Sequence, residues 1–212
     1  MNTEDLIVSL AADAQSVKPL PSIDARAGRW IRIALISSVV LALAFGIRHD
    51  LNAAAGHPSF VLLGVLGLMV AVGASVSSLR LSVPGVASRA TGVWPVGLLG
   101  LWIALLVVSA LSGGASLAAM YHEPWHWACI SRVSLLAVIP SGALWIAVGR
   151  GYVLDRGRSA FLSAIAGGAI AALALQFVCP VDRGAHLLVS HLVPVLVLSM
   201  AAALVQAVRT DR

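Results

Sequence analysis

Two cysteines are the most reactive side chains in the sequence, and residue types that bind metals flank both of them. Cys129 ends the pattern H-x3-H-x2-C, which begins at His122 and His126, and Arg132 follows three residues later. Thiolate and imidazole ligands suit zinc, copper(I) and heavier thiophilic metals, and a nearby cation favours the thiolate. Cys179 is followed by further charged and ligand-type residues: Asp182, Arg183, His186 and His191. The pattern predicts a site for metal capture, thiol oxidation or a reversible disulfide.

Helix lengths place the two cysteines at one depth. Nineteen residues lead from Cys129 down to Val148, and nineteen lead from Ala160 up to Cys179. Two antiparallel helices of these lengths each rise about 28 Å and return to the same level. A disulfide needs Cα atoms within about 7 Å, which depends on helix rotation. The residues alone therefore leave three alternatives: a switchable thiol pair, a static structural disulfide, or two small buried apolar side chains.

The composition indicates a membrane protein. Of 212 residues, 59% are hydrophobic and 11% charged, with a mean hydropathy of +0.95. Soluble domains have about 25% charged residues, so a soluble enzyme, a disordered chain and a disulfide-stapled secreted domain are excluded. We predict an all-α polytopic bundle of six transmembrane helices, because the apolar runs are continuous and about 20 residues long. The predicted spans are 30–47, 60–79, 93–111, 128–148, 160–178 and 187–208, within a transmembrane domain of residues 29–212.

The distribution of Lys and Arg predicts the orientation. With the N-terminus inside, only Arg48, Arg132 and Arg183 of the fourteen Lys and Arg lie outside, which leaves eleven inside. By the positive-inside rule, we predict that both termini are cytoplasmic. All six histidines and both cysteines then fall on the outer side. The net charge of +5 is therefore interpreted as a topology signal, and no direct nucleic-acid binding is predicted.

Residues 1–28 form a cytoplasmic segment that contains a predicted amphipathic helix from Thr3 to Ser16. Asn2 and Asp5 have the spacing of a helix N-cap pair. The polar face carries Glu4, Asp5 and Asp13, and an acidic face is repelled by anionic lipid, so we favour a protein partner over the bilayer surface. The residues predicted to contact that partner are Asp5, Leu6, Ile7, Leu10 and Ala14.

The sequence lacks features that other classes of protein need. No Asp or Glu lies mid-span, which argues against a proton- or ion-coupled transporter. The segment H-E-P-W-H at 122–126 resembles a metalloprotease motif, but Pro124 interrupts it, and no other catalytic constellation is present, so we expect no enzyme activity. A small metal transporter or permease and a structural subunit of a membrane complex remain as alternatives.

The motifs resemble the NrsF family of bacterial inner-membrane anti-sigma factors, which are negative regulators of extracytoplasmic-function (ECF) sigma factors. The resemblance rests on D-L-I-V-S-L-A-A-D-A at 5–14, a cysteine early in span four, and C-P-V-D-R-G-A-H-L at 179–187. It implies that the chain holds a sigma factor at the membrane, away from core RNA polymerase. It further implies that heavy metals or oxidants act on Cys129 and Cys179, with no obligatory cofactor and at most a transient heavy-metal ion.

Overall fold

The computed structural model describes residues 2–12, 19–86, 88, 90–113 and 125–210. These residues form helices and loops, with no strand among them. Two predicted site residues, Ala14 and His122, lie outside the described residues.

The helices are α1 Thr3–Ala12, α2 Ile23–Phe45, α3 Leu51–Ala55, α4 Pro58–Leu81, α5 Val93–Ser112, α6 Trp125–Gly149, α7 Arg156–Gln176, and α8, which comprises Gly184–His186, a π-helical segment Leu187–Leu192 and Val193–Thr210.

Six of these helices, α2 and α4 to α8, are long and apolar enough to cross a membrane. This confirms the prediction of an all-α bundle with six membrane-spanning helices. The first of them begins before the apolar run that starts at Trp30, since Ser22 caps it at Ile23, where the Ser22 hydroxyl accepts a 3.2 Å hydrogen bond from the Ala25 N–H. The helix starts at its N-cap residue, whose side chain satisfies an N–H group of the first turn. The first residues of the helix therefore need not be apolar.

The helices alternate in direction, so that alternate loops meet at the same end of the bundle. At one end, Arg48, which follows α2, donates its backbone N–H to the Phe177 carbonyl after α7, at 3.0 Å. The Phe60 ring of α4 packs edge-on against Phe177, with ring centroids 5.8 Å apart. We call this end, which also holds Cys129 and Cys179, the cysteine end.

The opposite end collects the start of α2 and the loops that join α4 to α5 and α6 to α7. There the Tyr152 N–H donates to the Ser82 carbonyl at 3.1 Å, and the guanidinium of Arg158 donates to the Thr91 carbonyl. We call it the arginine end, because it also holds Arg26 and Arg150.

Helix α7 lies at the centre of the bundle and packs through small residues. A Cβ on Gly167 would lie 2.1 Å from the Ser141 hydroxyl of α6, and one on Gly168 would lie 2.2 Å from a methyl of Val195 in α8. Such close contacts are typical of membrane helices, because small residues let the backbones approach. Helix α4 is joined to α7 by buried hydroxyl contacts of Ser78 with Ser163 at 2.7 Å and with Ser159 at 3.1 Å.

Helix α2 packs against α6 through one directed bond. The indole N–H of Trp30, which is 2% exposed, donates to the Pro140 carbonyl at 2.8 Å. The bond joins α2 to the middle of α6, where the proline removes a backbone donor from the helix. A buried indole needs such a partner.

Replacing Gly167 by alanine should destabilise the protein. The new methyl group would overlap the Ser141 hydroxyl and backbone of α6, and overpacking of this kind costs about 1–3 kcal/mol. We expect a lower midpoint of thermal unfolding for the purified protein in detergent. Gly142→Ala is the matched control, since nothing lies within 4 Å of a Cβ there. Equal midpoints for the two variants would contradict the close contact between α6 and α7.

Candidate metal and thiol site

Two thiols and two imidazoles meet in a buried cluster at the cysteine end. The cluster consists of Cys129, Cys179, His186 and His191, whose ligand atoms all lie within 4.8 Å of one another. The two sulfur atoms are 3.2 Å apart, and Cys179 Sγ is 3.4 Å from His186 Nε2. Both cysteines are free thiols and are at most 1% exposed. The arrangement supplies a four-ligand set, Cys2His2, of the kind that zinc and related soft or borderline metals bind.

A π-helical segment brings the two histidines of the cluster together. His186 and His191 are five residues apart, a spacing that turns them away from each other on an ordinary α-helix. The segment Leu187–Leu192 is π-helical, and a π-helix pairs residue i with residue i+5. The rings of His186 and His191 consequently pack edge to face, with centroids 5.5 Å apart. The α-helical period applied to the sequence would place these two side chains on different faces.

His126 lies beside the cluster and contacts it through a serine. Its Nδ1 is 2.8 Å from the hydroxyl of Ser190, and that hydroxyl is 3.5 Å from His186 Nδ1. The contact leaves Nε2 of His186 directed at Cys179. Outer hydrogen bonds of this kind orient a metal-binding imidazole and fix its tautomer. His126 therefore positions His186.

The imidazole of His191 is a member of the cluster and hydrogen-bonds the Cys179 side chain. The residue is 3% exposed, and among the described residues its Nε2 has no hydrogen-bond partner. A buried polar atom without a partner costs about 1–3 kcal/mol. One of the two ring nitrogens would bind a metal ion held by the cluster.

The segment that carries Cys179 is held in place by a buried guanidinium. Arg48 binds both oxygens of Asp50 at 2.7 and 2.8 Å and both oxygens of Asp182 at 2.7 and 2.6 Å. Its side chain is fully buried, although both carboxylates are partly exposed. Two bidentate pairs on one guanidinium are the strongest arrangement of this type. Arg48 thus ties the loop after α2 to the residues that follow Cys179.

The same pairing sets the protonation of the groups involved. The hydrogen bonds from Arg48 lower the pKa of Asp50 to about 2. In return, the hydrogen bonds to Asp50 and Asp182 raise the pKa of Arg48 above its usual range. Arg48 and Asp50 therefore both stay charged over the physiological range of pH.

The structure places the other predicted site residues around the cluster. The Arg132 guanidinium lies over the rings of Phe45 at 5.4 Å and Trp125 at 5.5 Å. Asp182 pairs with Arg48, and Arg183 lies exposed just before α8. The clamp formed by Arg48 with Asp50 and Asp182 is not in the sequence analysis, because Asp182 lies 134 residues away along the chain. The sequence signal that could have suggested a charged pair was Asp50, two residues after Arg48.

Helix α1 exposes its apolar side chains. Asn2 and Asp5 form a reciprocal cap, in which the Asp5 N–H donates to Asn2 Oδ1 at 2.8 Å and the Asn2 N–H to Asp5 Oδ2 at 3.4 Å. No residue of α1 is buried, and Leu6, Ile7 and Leu10 are 41%, 59% and 63% exposed. A short amphipathic helix with an uncovered apolar face is typical of a binding segment.

Comparison with known proteins identifies one family. The family model described as "NrsF: Negative regulator of sigma F" matches residues 10–209, nearly the whole chain. No curated protein and no solved structure matches the chain.

The Arg48 clamp predicts a dependence of stability on pH. Because the folded-state pKa of Asp50 is about 2 and its unfolded value is about 3.9, its stabilising contribution is complete above about pH 5 and is lost as pH falls towards 2. The wild-type protein should therefore have a higher thermal midpoint than Asp50→Asn at pH 6, and the difference should shrink below about pH 4. Asp24→Asn, at the arginine end, controls for loss of an exposed carboxylate. A difference that is unchanged down to about pH 2.5 would contradict the clamp.

Proposed function

Because the chain belongs to the NrsF family of negative regulators of sigma F, we propose that it sequesters an ECF sigma factor at the bacterial inner membrane. Release of the sigma factor follows heavy-metal or oxidative stress at the cluster of Cys129, Cys179, His186 and His191. The single observation that carries the signalling step is the buried approach of the two thiols to 3.2 Å. The protein acts as a regulator and performs no catalysis.

Helix α1 is the proposed docking element for the sigma factor. It offers an apolar strip formed by Leu6, Ile7 and Leu10, all exposed, beside the acidic Glu4 and Asp5. An acidic amphipathic helix favours a partner with an apolar groove and a basic rim. The positive-inside rule supports a cytoplasmic position for α1, because arginines crowd the arginine end, where α2 begins.

Oxidation of the thiol pair is the first proposed signal. One thiolate attacks a peroxide, so that the O–O bond breaks, the sulfur becomes a sulfenic acid and hydroxide leaves. The second thiol then displaces the bound oxygen as water and forms the S–S bond. In sum, two thiols and one peroxide give a disulfide and two waters. Closing the gap from 3.2 Å to about 2.05 Å draws Cys129 of α6 towards Cys179.

Metal capture by the same residues is the second proposed signal. The ligand atoms of Cys129, Cys179, His186 and His191 lie within 4.8 Å of one another, which suits a tetrahedral ion with ligands at about 2.0–2.3 Å. The thiols release protons when they bind, and each histidine supplies one ring nitrogen as a ligand. The ion is a transient signal here and contributes nothing to the resting fold.

The proposed signal crosses the membrane through α6 and α7. Each of these helices has one end at the cluster and the other at the arginine end, where the loop 150–155 joins them. The Arg26 guanidinium at the start of α2 donates to the Ala147 carbonyl of α6. A shift of α6 relative to α7 therefore reaches the helix that follows α1. The signal shifts sigma binding only if the two packings differ in affinity for the metal or oxidant and for the sigma factor.

Charges on the apolar strip of α1 should release the sigma factor without a signal. In Leu6→Glu with Leu10→Glu, the buried contact with the partner is replaced by two charges, each of which costs several kcal/mol to desolvate. We expect the co-purified sigma factor to fall by at least about tenfold and the target genes to be transcribed constitutively.

Ala12→Glu is the matched control for that variant. Ala12 is exposed on the same helix and lies seven residues after Asp5, so it is on the side of Asp5 and away from Leu6 and Leu10, and this variant should retain the sigma factor. Membrane levels of all variants are compared by immunoblot. Full retention of the sigma factor by the double variant would exclude α1 as the docking element.

Removing the thiols should abolish the response to both signals. In Cys129→Ser with Cys179→Ser, no disulfide forms and the soft ligands are lost, so cadmium, chromate and peroxide should no longer induce the target genes. The measurement is reporter transcription, with sigma retention on membranes as a second readout. Normal induction in this double variant would overturn the sensing role.

His191→Gln separates the two signals, because the thiols remain while one imidazole ligand is lost. Loss of a ligand lowers metal affinity by about tenfold or more, so we expect cadmium induction to require that much more metal and peroxide induction to persist. His57→Gln, an exposed histidine outside the cluster, is the control and should respond normally to both. An unchanged cadmium response in His191→Gln would show that the cysteines act without this histidine.

A further inference from the structure

We propose that the arginine end contains a binding site for the phosphodiester headgroup of an anionic phospholipid, in the cavity between the start of α2 and the end of α6. This inference does not depend on the proposed sensing function or on a sigma factor. The cavity has a volume of about 210 Å³, several times the share of one water in the liquid, about 30 Å³. Three arginines are among the residues that line it: Arg26, Arg29 and Arg150.

The central observation is that Arg26 is buried with no anionic partner among the residues that the structure describes. The residue is 5% exposed, its Nη2 donates to the Ala147 carbonyl, and its Nη1 has no partner among the described residues. A buried cation is costly unless it is paired. The residues that line the cavity include two more arginines and no carboxylate. The site therefore has excess positive charge and a free donor, and an anion with several oxygens would satisfy both.

The chemistry of the donors points to a phosphate. Guanidinium groups bind phosphate oxygens through paired N–H donors. The start of α2 lies close to the same cavity, and its helix dipole adds partial positive charge there. Basic pockets between membrane helices at the cytoplasmic surface hold anionic headgroups in this way.

The rest of the cavity favours a lipid over a soluble anion. The remaining lining is mainly apolar and includes Trp30, Ile33 and Ile146. Ile33 and Ile146 are 39% and 62% exposed, so they continue the cavity onto the outer surface of α2 and α6, which faces the acyl chains in a bilayer. The Trp30 N–H is already bound to the Pro140 carbonyl, which leaves its ring as an apolar wall. A headgroup among the arginines would thus place its chains along these isoleucines.

The test uses the full-length protein, purified in a neutral detergent and stripped of lipid. Phosphatidylglycerol, phosphatidylcholine or inorganic phosphate is added, and binding is measured by native mass spectrometry together with the thermal midpoint. We expect phosphatidylglycerol to bind and to raise the midpoint, and the other two to do neither. Arg26→Gln should weaken phosphatidylglycerol binding by at least about tenfold, since a hydrogen bond to a charged group is worth that much.

Two further variants keep the test decisive. Arg29→Gln changes an exposed cavity residue, so the protein should fold and bind phosphatidylglycerol several-fold more weakly even if Arg26→Gln does not fold. Arg32→Gln removes the same charge from an exposed position on α2 outside the cavity and should bind normally. Unchanged binding in Arg29→Gln and in a folded Arg26→Gln would overturn the proposal, as would equal binding of phosphatidylcholine. An equal effect of inorganic phosphate would overturn the lipid assignment.

Discussion

The close approach of α6 and α8 to the central helix α7 is the constraint on which the site depends. Gly167 and Gly168 leave no room for a side chain against Ser141 of α6 and Val195 of α8. The small residues let α6 and α8 lie close to α7, and at the cysteine end Cys129 of α6 and the histidines of α8 meet Cys179, which follows α7. Two bonds hold Cys179 there: its N–H donates to the Leu175 carbonyl at 2.8 Å, and its sulfur contacts His186.

The buried arginines at the two ends of the bundle differ in how completely they are paired. At the cysteine end, Arg48 is buried against two carboxylates, and the pairing fixes the segment that carries Cys179. At the arginine end, Arg26 is buried against one carbonyl, with one nitrogen unpartnered among the described residues. The charge of Arg48 is fully paired within the protein, and such pairing suits a rigid frame around the two thiols. The charge of Arg26 requires an external anion, which a membrane surface supplies.

Hydropathy and helix length were enough to predict the bundle and the level of the thiols within it. Six spans and the common depth of Cys129 and Cys179 needed only apolar runs and the rise per residue. The pairing of His186 with His191 was not predictable, because a local π-helical turn changes the periodicity on which such a prediction relies. The Arg48 clamp was missed for a different reason: charge counting assigns an arginine to one side of the membrane and does not identify a partner far along the chain.

The proposed coupling of the thiol site to sigma release can be measured directly in one sample. Proteoliposomes carrying the protein with bound sigma factor are titrated with cadmium, and the blocked fraction of Cys129 and Cys179 is followed together with the sigma factor that remains bound. We predict that sigma factor leaves in parallel with thiol blockage and that both changes reverse when a chelator removes the metal. Saturated thiols with the sigma factor still fully bound would contradict the coupling.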